Sequence, residues 1–112
     1  MSQTSVEKRL IELRELAAKF AEARGQQVYL EEFKKSKLSM LMKKYEKDYP
    51  TAAAQEREAR ADPEYIELLQ GLRAATEDAE RSRWDLKISE WGVDLWRTKQ
   101  ANERAEKRGY SA

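Results

Sequence analysis

The chain has 112 residues, with 22 basic and 21 acidic side chains and neither cysteine nor histidine. One domain is the ceiling at this length, and no disulfide, Cys/His metal site, Ser-His or Cys-His catalysis is available to it. Charged residues make up 38% of the chain, well above the ~25% of an ordinary globular domain. The net charge is only +1, so attraction to a charged partner has to come from local patches.

Residues Met1 to Lys8 contain no apolar segment of the secretory kind, and position 2 is Ser rather than Gly. Neither a signal peptide nor N-myristoylation is expected. No run approaches the ~20 apolar residues of a membrane span, and a cytoplasmic location is expected.

The first helical pattern opens on Thr4-Ser5-Val6-Glu7, the spacing of a capping box. Val6, Leu10, Leu13, Ala17 and Phe20 then recur at steps of four and three, as one face of a helix requires. Projection at ~100° per residue keeps Val28, Leu38, Met42, Tyr45 and Tyr49 near that face and puts Leu30 and Phe33 off it. The phase mostly survives Gly25, which favours one continuous helix, with a break at Gly25 as the alternative. Tyr49-Pro50 ends the pattern, because the residue before a proline is steered out of the α region. A helix over about 4–48 is predicted.

Residues 51–61 are rich in Ala, Glu and Arg and predict a short exposed helix or a frayed connector. Asp62-Pro63-Glu64 is the clearest start signal in the chain: an N-cap, a proline suited to N1 and an acid in the first turn. No proline follows before Gly109, a candidate C′ cap, so a helix over about 63–108 is predicted. Its apolar residues form two stripes. Tyr65, Leu72, Ala79, Leu86 and Val93 are spaced by seven, with Leu68, Leu69 and Ala75 beside them. Trp84, Ile88, Trp91 and Leu95 lie on roughly the opposite side, with Trp96 between.

The predicted fold is therefore all-α: an elongated, coiled-coil-like antiparallel hairpin with a short connecting helix, in a single domain of residues 1–112. A helix apolar on most sides should be buried on most sides, and a two-helix hairpin covers one face only. Trp84, Ile88, Trp91, Leu95 and Trp96 are thus candidate protein-interface residues, and homo-oligomerisation through 84–96 is expected. The short middle helix and a target protein are the other ways to cover that face.

Charge is distributed in blocks. Over residues 34–48, Lys34, Lys35, Lys37, Lys43, Lys44 and Lys47 stand against Glu46 and Asp48, a net +4. Over 97–108, Arg97, Lys99, Arg104, Lys107 and Arg108 stand against Glu103 and Glu106, a net +3. Residues 56–81 carry a net −4. The six lysines, with Arg97, Lys99 and Arg104, are candidate contacts to nucleic-acid phosphates or an acidic partner. The other reading is internal pairing, since a hairpin lays 34–48 beside the acidic start of the last helix. The tryptophans among Arg81, Arg83, Lys87, Arg97 and Lys99 also suit stacking of single-stranded bases, although aromatics at helical spacing more often form a core or interface.

Paired carboxylates at i, i+3, such as Glu77/Glu80 and Glu103/Glu106, lack the histidine of a di-metal helical site. No phosphate loop or Gly-x-Ser-x-Gly is present. Neither enzymatic activity, a metal, a cofactor nor a small-molecule substrate is expected.

The stretch from Trp84-Asp85-Leu86-Lys87 through Trp96-Arg97-Thr98-Lys99-Gln100-Ala101-Asn102-Glu103-Arg104-Ala105-Glu106 resembles small all-helical proteins encoded in phages and prophages near recombination or single-strand-binding genes. The likeness covers about the last quarter of the chain. It implies an accessory role in DNA metabolism or in countering host defence, exercised in the bacterial cytoplasm, and it brings no catalytic residues. The expected function is a non-enzymatic accessory protein that binds single-stranded nucleic acid or a nucleic-acid-processing machine through a basic surface. The alternatives are an inhibitor of a host nuclease or defence effector, and a purely structural homo-oligomer.

Overall fold

The computed structural model describes the backbone of residues 3–111 and the side chains of residues 5–109. It contains three helices and, among the described residues, no strand: α1 spans Gln3–Tyr45, α2 Ala52–Ala61 and α3 Pro63–Ser111. The chain divides into two compact units, one made of residues 1–20 and 81–112 and the other of residues 21–80.

In the unit of residues 21–80, α1 and α3 run antiparallel. Gln27 meets Thr76, with Nε2 donating to Oγ1 at 3.3 Å. Further along α1, Lys37 Nζ lies 3.6 Å from Glu64 Oε1. At the closed end Leu41, Ala59 and Tyr65 form a small buried cluster, with Leu38 and Met42 packed against it. In the unit of residues 1–20 and 81–112, Val6, Arg9, Leu10 and Leu13 of α1 line a common groove with Val93, Trp96 and Arg97 of α3.

Covered residues recur along both helices at alternating steps of three and four. On α1 these are Val6, Arg9, Leu13, Leu16, Phe20, Ala23, Gln27, Leu30, Lys34, Lys37 and Leu41. On α3 they are Tyr65, Leu68, Leu72, Ala75, Ala79, Ser82, Leu86, Ser89, Val93, Trp96 and Gln100. This is the 3.5-residue period of a coiled coil. The α3 seam contains the predicted stripe spaced by seven; Leu69, placed beside that stripe, is exposed.

The α1 seam differs from the predicted face. Leu10, Ala17 and Val28 are exposed, whereas Arg9, Leu16, Leu30 and Phe33 are partly covered. The physical reasons are the choice of flank and the period. The predicted face took Leu10 and Ala17 as flanks of Val6 and Leu13 where the seam takes Arg9 and Leu16, and a straight projection at 100° per residue adds ~20° of drift per heptad from a 3.5-residue seam, about 60° by Val28. Polar seam positions such as Arg9 and Gln27 removed the apolar marker that would have corrected it.

Helix ends also differ from the expected bounds. Thr4 lies inside α1, and its side chain is outside the described residues. Gly25 leaves α1 unbroken, and no glycine among the described residues has positive φ. α1 ends at Tyr45 instead of about residue 48. There Glu46 N–H donates to the Lys43 carbonyl at 3.3 Å, and Asp48 N–H donates to the Tyr45 carbonyl at 3.2 Å; such i+3 bonds tighten a final turn. α2 begins after Thr51, whose Oγ1 accepts from Ala54 N–H at 3.1 Å. It is no frayed connector, because Ala59 on its inner face is completely buried. α3 runs through Gly109 to Ser111, so Gly109 does not cap it.

Candidate interaction surface

Asp62 is the junction of α2 and α3, and its surroundings decide what becomes of much of the basic run. Its N–H donates to the Ala59 carbonyl at 3.2 Å, ending α2, and its carbonyl accepts from Tyr65 and Ile66, starting α3. The side chain is 1% exposed. Oδ1 accepts from Glu64 N–H at 2.8 Å, while Oδ2 accepts from Tyr45 Oη at 2.6 Å and Lys44 Nζ at 2.9 Å. These donors, Tyr45 foremost, hold the Asp62 carboxyl down to about 2, because each stabilises the ionised form. The same bonds push the Lys44 ammonium and the Tyr45 hydroxyl above their ordinary values.

Half of the basic run is thus paired with carboxylates, although Lys35 and Lys44 remain exposed. Lys44 is bound to Asp62, Lys37 to Glu64 at 3.6 Å and Lys35 to Glu32 at 3.2 Å. Lys34 is a partly covered seam residue, and Lys43 and Lys47 are exposed. Of the C-terminal cations, Arg97 lies 4.0 Å from Asp94, and Lys99 and Arg104 are exposed. The six lysines belong to the unit of residues 21–80, and Arg97, Lys99 and Arg104 to the unit of residues 1–20 and 81–112.

The tryptophan stripe is gathered. Trp84, Ile88, Trp91 and Leu95 are 43%, 59%, 56% and 72% exposed. They occupy the side of α3 away from its seam residues Leu86, Ser89 and Val93. The Trp84 and Trp91 rings meet edge to face, with centroids 6.1 Å apart and planes at 62°. Lys87 Nζ lies 5.1 Å and Arg83 Cζ 5.3 Å from the Trp84 ring, within cation–π range. From Leu95 the same side continues as a shallow depression lined also by Thr98, Lys99, Asn102, Glu103 and Glu106. Trp96 differs from its neighbours: it sits in the seam, in the groove with Val6, Leu13 and Val93. The buried face of the middle helix packs on Leu41 and Tyr65.

Sequence reasoning found the stripe and the Asp62 cap of α3. It missed the Tyr45–Asp62–Lys44 cluster and the Gln27–Thr76 bond, for which no local signal exists. No helix among the described residues is long and apolar enough to cross a membrane. The chain matches no protein-family model, and no similarity was found to curated proteins or to solved structures.

Proposed function

We propose that this chain is a non-enzymatic interaction protein that works through a protein–protein interface, with the outer face of α3 as its contact. One observation carries the reading. Four large apolar side chains, Trp84, Ile88, Trp91 and Leu95, stand exposed in a single stripe, while the seam beneath them includes Ser82, Ser89 and Gln100. Soluble chains rarely present a contiguous apolar patch without a partner for it, and tryptophan is enriched where interfaces draw their energy. The likeness of residues 84–106 to phage accessory proteins suggests the setting: a nucleic-acid-processing or host-defence machine in the bacterial cytoplasm.

The test is capture from a nuclease-treated bacterial lysate. A discrete protein retained by the wild type and lost with Leu95→Asp supports the reading. Retention that disappears on nuclease treatment, or that Leu95→Asp leaves intact, refutes it.

A second reading has its own support. Trp84 is flanked by Lys87 and Arg83, and Lys99 and Arg104 are exposed further along α3. Aromatics beside cations stack single-stranded bases while neutralising phosphates. Binding of a short single strand that falls steeply between about 50 and 200 mM salt, and that Lys99→Glu with Arg104→Glu weakens, is its signature.

A further inference from the structure

We infer that the occupant of the outer α3 face is a second copy of this chain, packed antiparallel about a two-fold axis that passes between Ile88 and Trp91. The inference rests on the reading of this face as an interface and names its partner.

The stripe Trp84, Ile88, Trp91, Leu95 follows the 4-3-4 spacing of a coiled-coil seam and extends about 17 Å along the helix at ~1.5 Å per residue. It is bounded by polar positions in the same phase, Arg81 before it and Thr98 after it. A short, bounded face suits a closed two-fold contact, in which the same patch serves both copies.

Orientation follows from what would meet what. In the antiparallel arrangement Trp84 faces Leu95 of the second copy and Ile88 faces Trp91, so each indole lies against an aliphatic side chain. Large against small is the arrangement that fills space between helices. In the next layer Arg81 faces Thr98. A parallel pairing would instead put Trp84 on Trp84, Trp91 on Trp91 and Arg81 on Arg81, a repeated like charge in the seam.

The flank adds charge complementarity. Lys87 and Asp94 are seven residues apart on the same side of the stripe. The antiparallel axis brings Lys87 of each copy to Asp94 of the other, giving two opposite-charge contacts. Asp94 is available for this: Arg97 lies 4.0 Å from it, and the two side chains are 70% and 72% exposed. In the parallel pairing Lys87 would meet Gly92, and Asp94 would meet Lys99.

Sedimentation equilibrium on the full-length chain and a charge-swap cycle test this. The wild type is expected to dimerise. Lys87→Asp and Asp94→Lys singly should each weaken the dimer about tenfold, since an attraction becomes a repulsion at two symmetric contacts. Lys87→Asp with Asp94→Lys in one chain should restore it to within about twofold. Leu95→Asp should give a monomer whose helical circular dichroism matches the wild type. A double variant no better than either single variant overturns the inference, because a parallel pairing would then set the cation introduced at position 94 against Lys99. Single variants that dimerise like the wild type, or a wild type still monomeric at about 100 µM, overturn it too. A monomer that captures a lysate protein through this face refutes the second copy while leaving the interface reading intact; a monomer that captures nothing refutes both.

Discussion

The Tyr45 hydroxyl donates to Asp62 Oδ2 at 2.6 Å, joining the last residue of α1 to the residue between α2 and α3. Lys44 Nζ shares that oxygen, and the Glu64 amide takes the other. One carboxylate therefore satisfies the first turn of α3 and ties it to the end of α1. Asp62→Ala leaves three donors without this acceptor and is expected to lower the melting temperature by about 5–10 °C. Asp62→Asn keeps an acceptor for the Glu64 amide but loses the charge, so its loss should be smaller. Thermal denaturation followed by circular dichroism checks both.

The same cluster sets a pH dependence. Asp62 has a folded-state pKa depressed from 3.8 to about 2. Its contribution is therefore fully present above pH ~4 and is lost as pH falls from there toward 2. Lys44 and Tyr45 are raised above 10.5 and 10.0. Their contribution is present below those values and is lost as pH rises past them. The stability difference between wild type and Asp62→Ala should be level from about pH 5 to 9 and shrink at both extremes. A difference that stays constant down to about pH 2 would show that the carboxylate charge has no part in it.

All four glycines lie within helices without using their freedom, and two of them have open space around them well inside a helix. Gly25 and Gly71 have no positive φ, and a Cβ built on either meets nothing within 4 Å. Gly25→Ala and Gly71→Ala are each expected to stabilise by about 0.5–1 kcal/mol, and the pair nearly additively. Chemical denaturation measures this, with a raised midpoint at unchanged slope as the expected result.

The Gln27–Thr76 contact is a polar layer in an otherwise mixed seam. Thr76 Oγ1 also donates to the Leu72 carbonyl at 2.8 Å, so it keeps a partner without Gln27. Gln27→Leu is accordingly expected to be neutral or stabilising by up to about 1 kcal/mol. Its cost should appear as lost specificity of register, since polar seam residues are best attested in that role. A melting transition that becomes broader while its midpoint holds or rises is the expected result.

The parts of the fold visible in the sequence were those marked by local chemistry. Asp62-Pro63-Glu64 announced α3 because cap, proline and acid act within three residues. The α3 seam was visible because Tyr65, Leu72, Leu86 and Val93 are large and stand at multiples of seven from one another. The α1 seam was hidden because Arg9, Gln27, Lys34 and Lys37 occupy it, while apolar Leu10, Ile11 and Val28 stand outside. The lysine run showed as charge, but its pairing did not, because Lys44 meets Asp62 across 18 positions and Lys37 meets Glu64 across 27. The tryptophan stripe was legible as a stripe. Its place away from α1 was legible too, because the stripe spaced by seven supplies the facing side; Trp96, grouped with the outer stripe, lies in the seam instead.

The three tryptophans occupy two distinct settings. Trp96 lies in the groove with Val6 and Leu13, and Trp84 and Trp91 touch each other on the open side of α3. Indole emission responds to water and to nearby cations, so the outer pair reports whether that side is wet or occupied, while Trp96 reports whether α1 and α3 remain together. Trp96→Phe would leave a chain whose native fluorescence follows occupancy alone, and replacing Trp84 and Trp91 by Phe would leave one that follows unfolding alone. The molecule thus carries its own optical probes for docking and for denaturation, side by side on one helix.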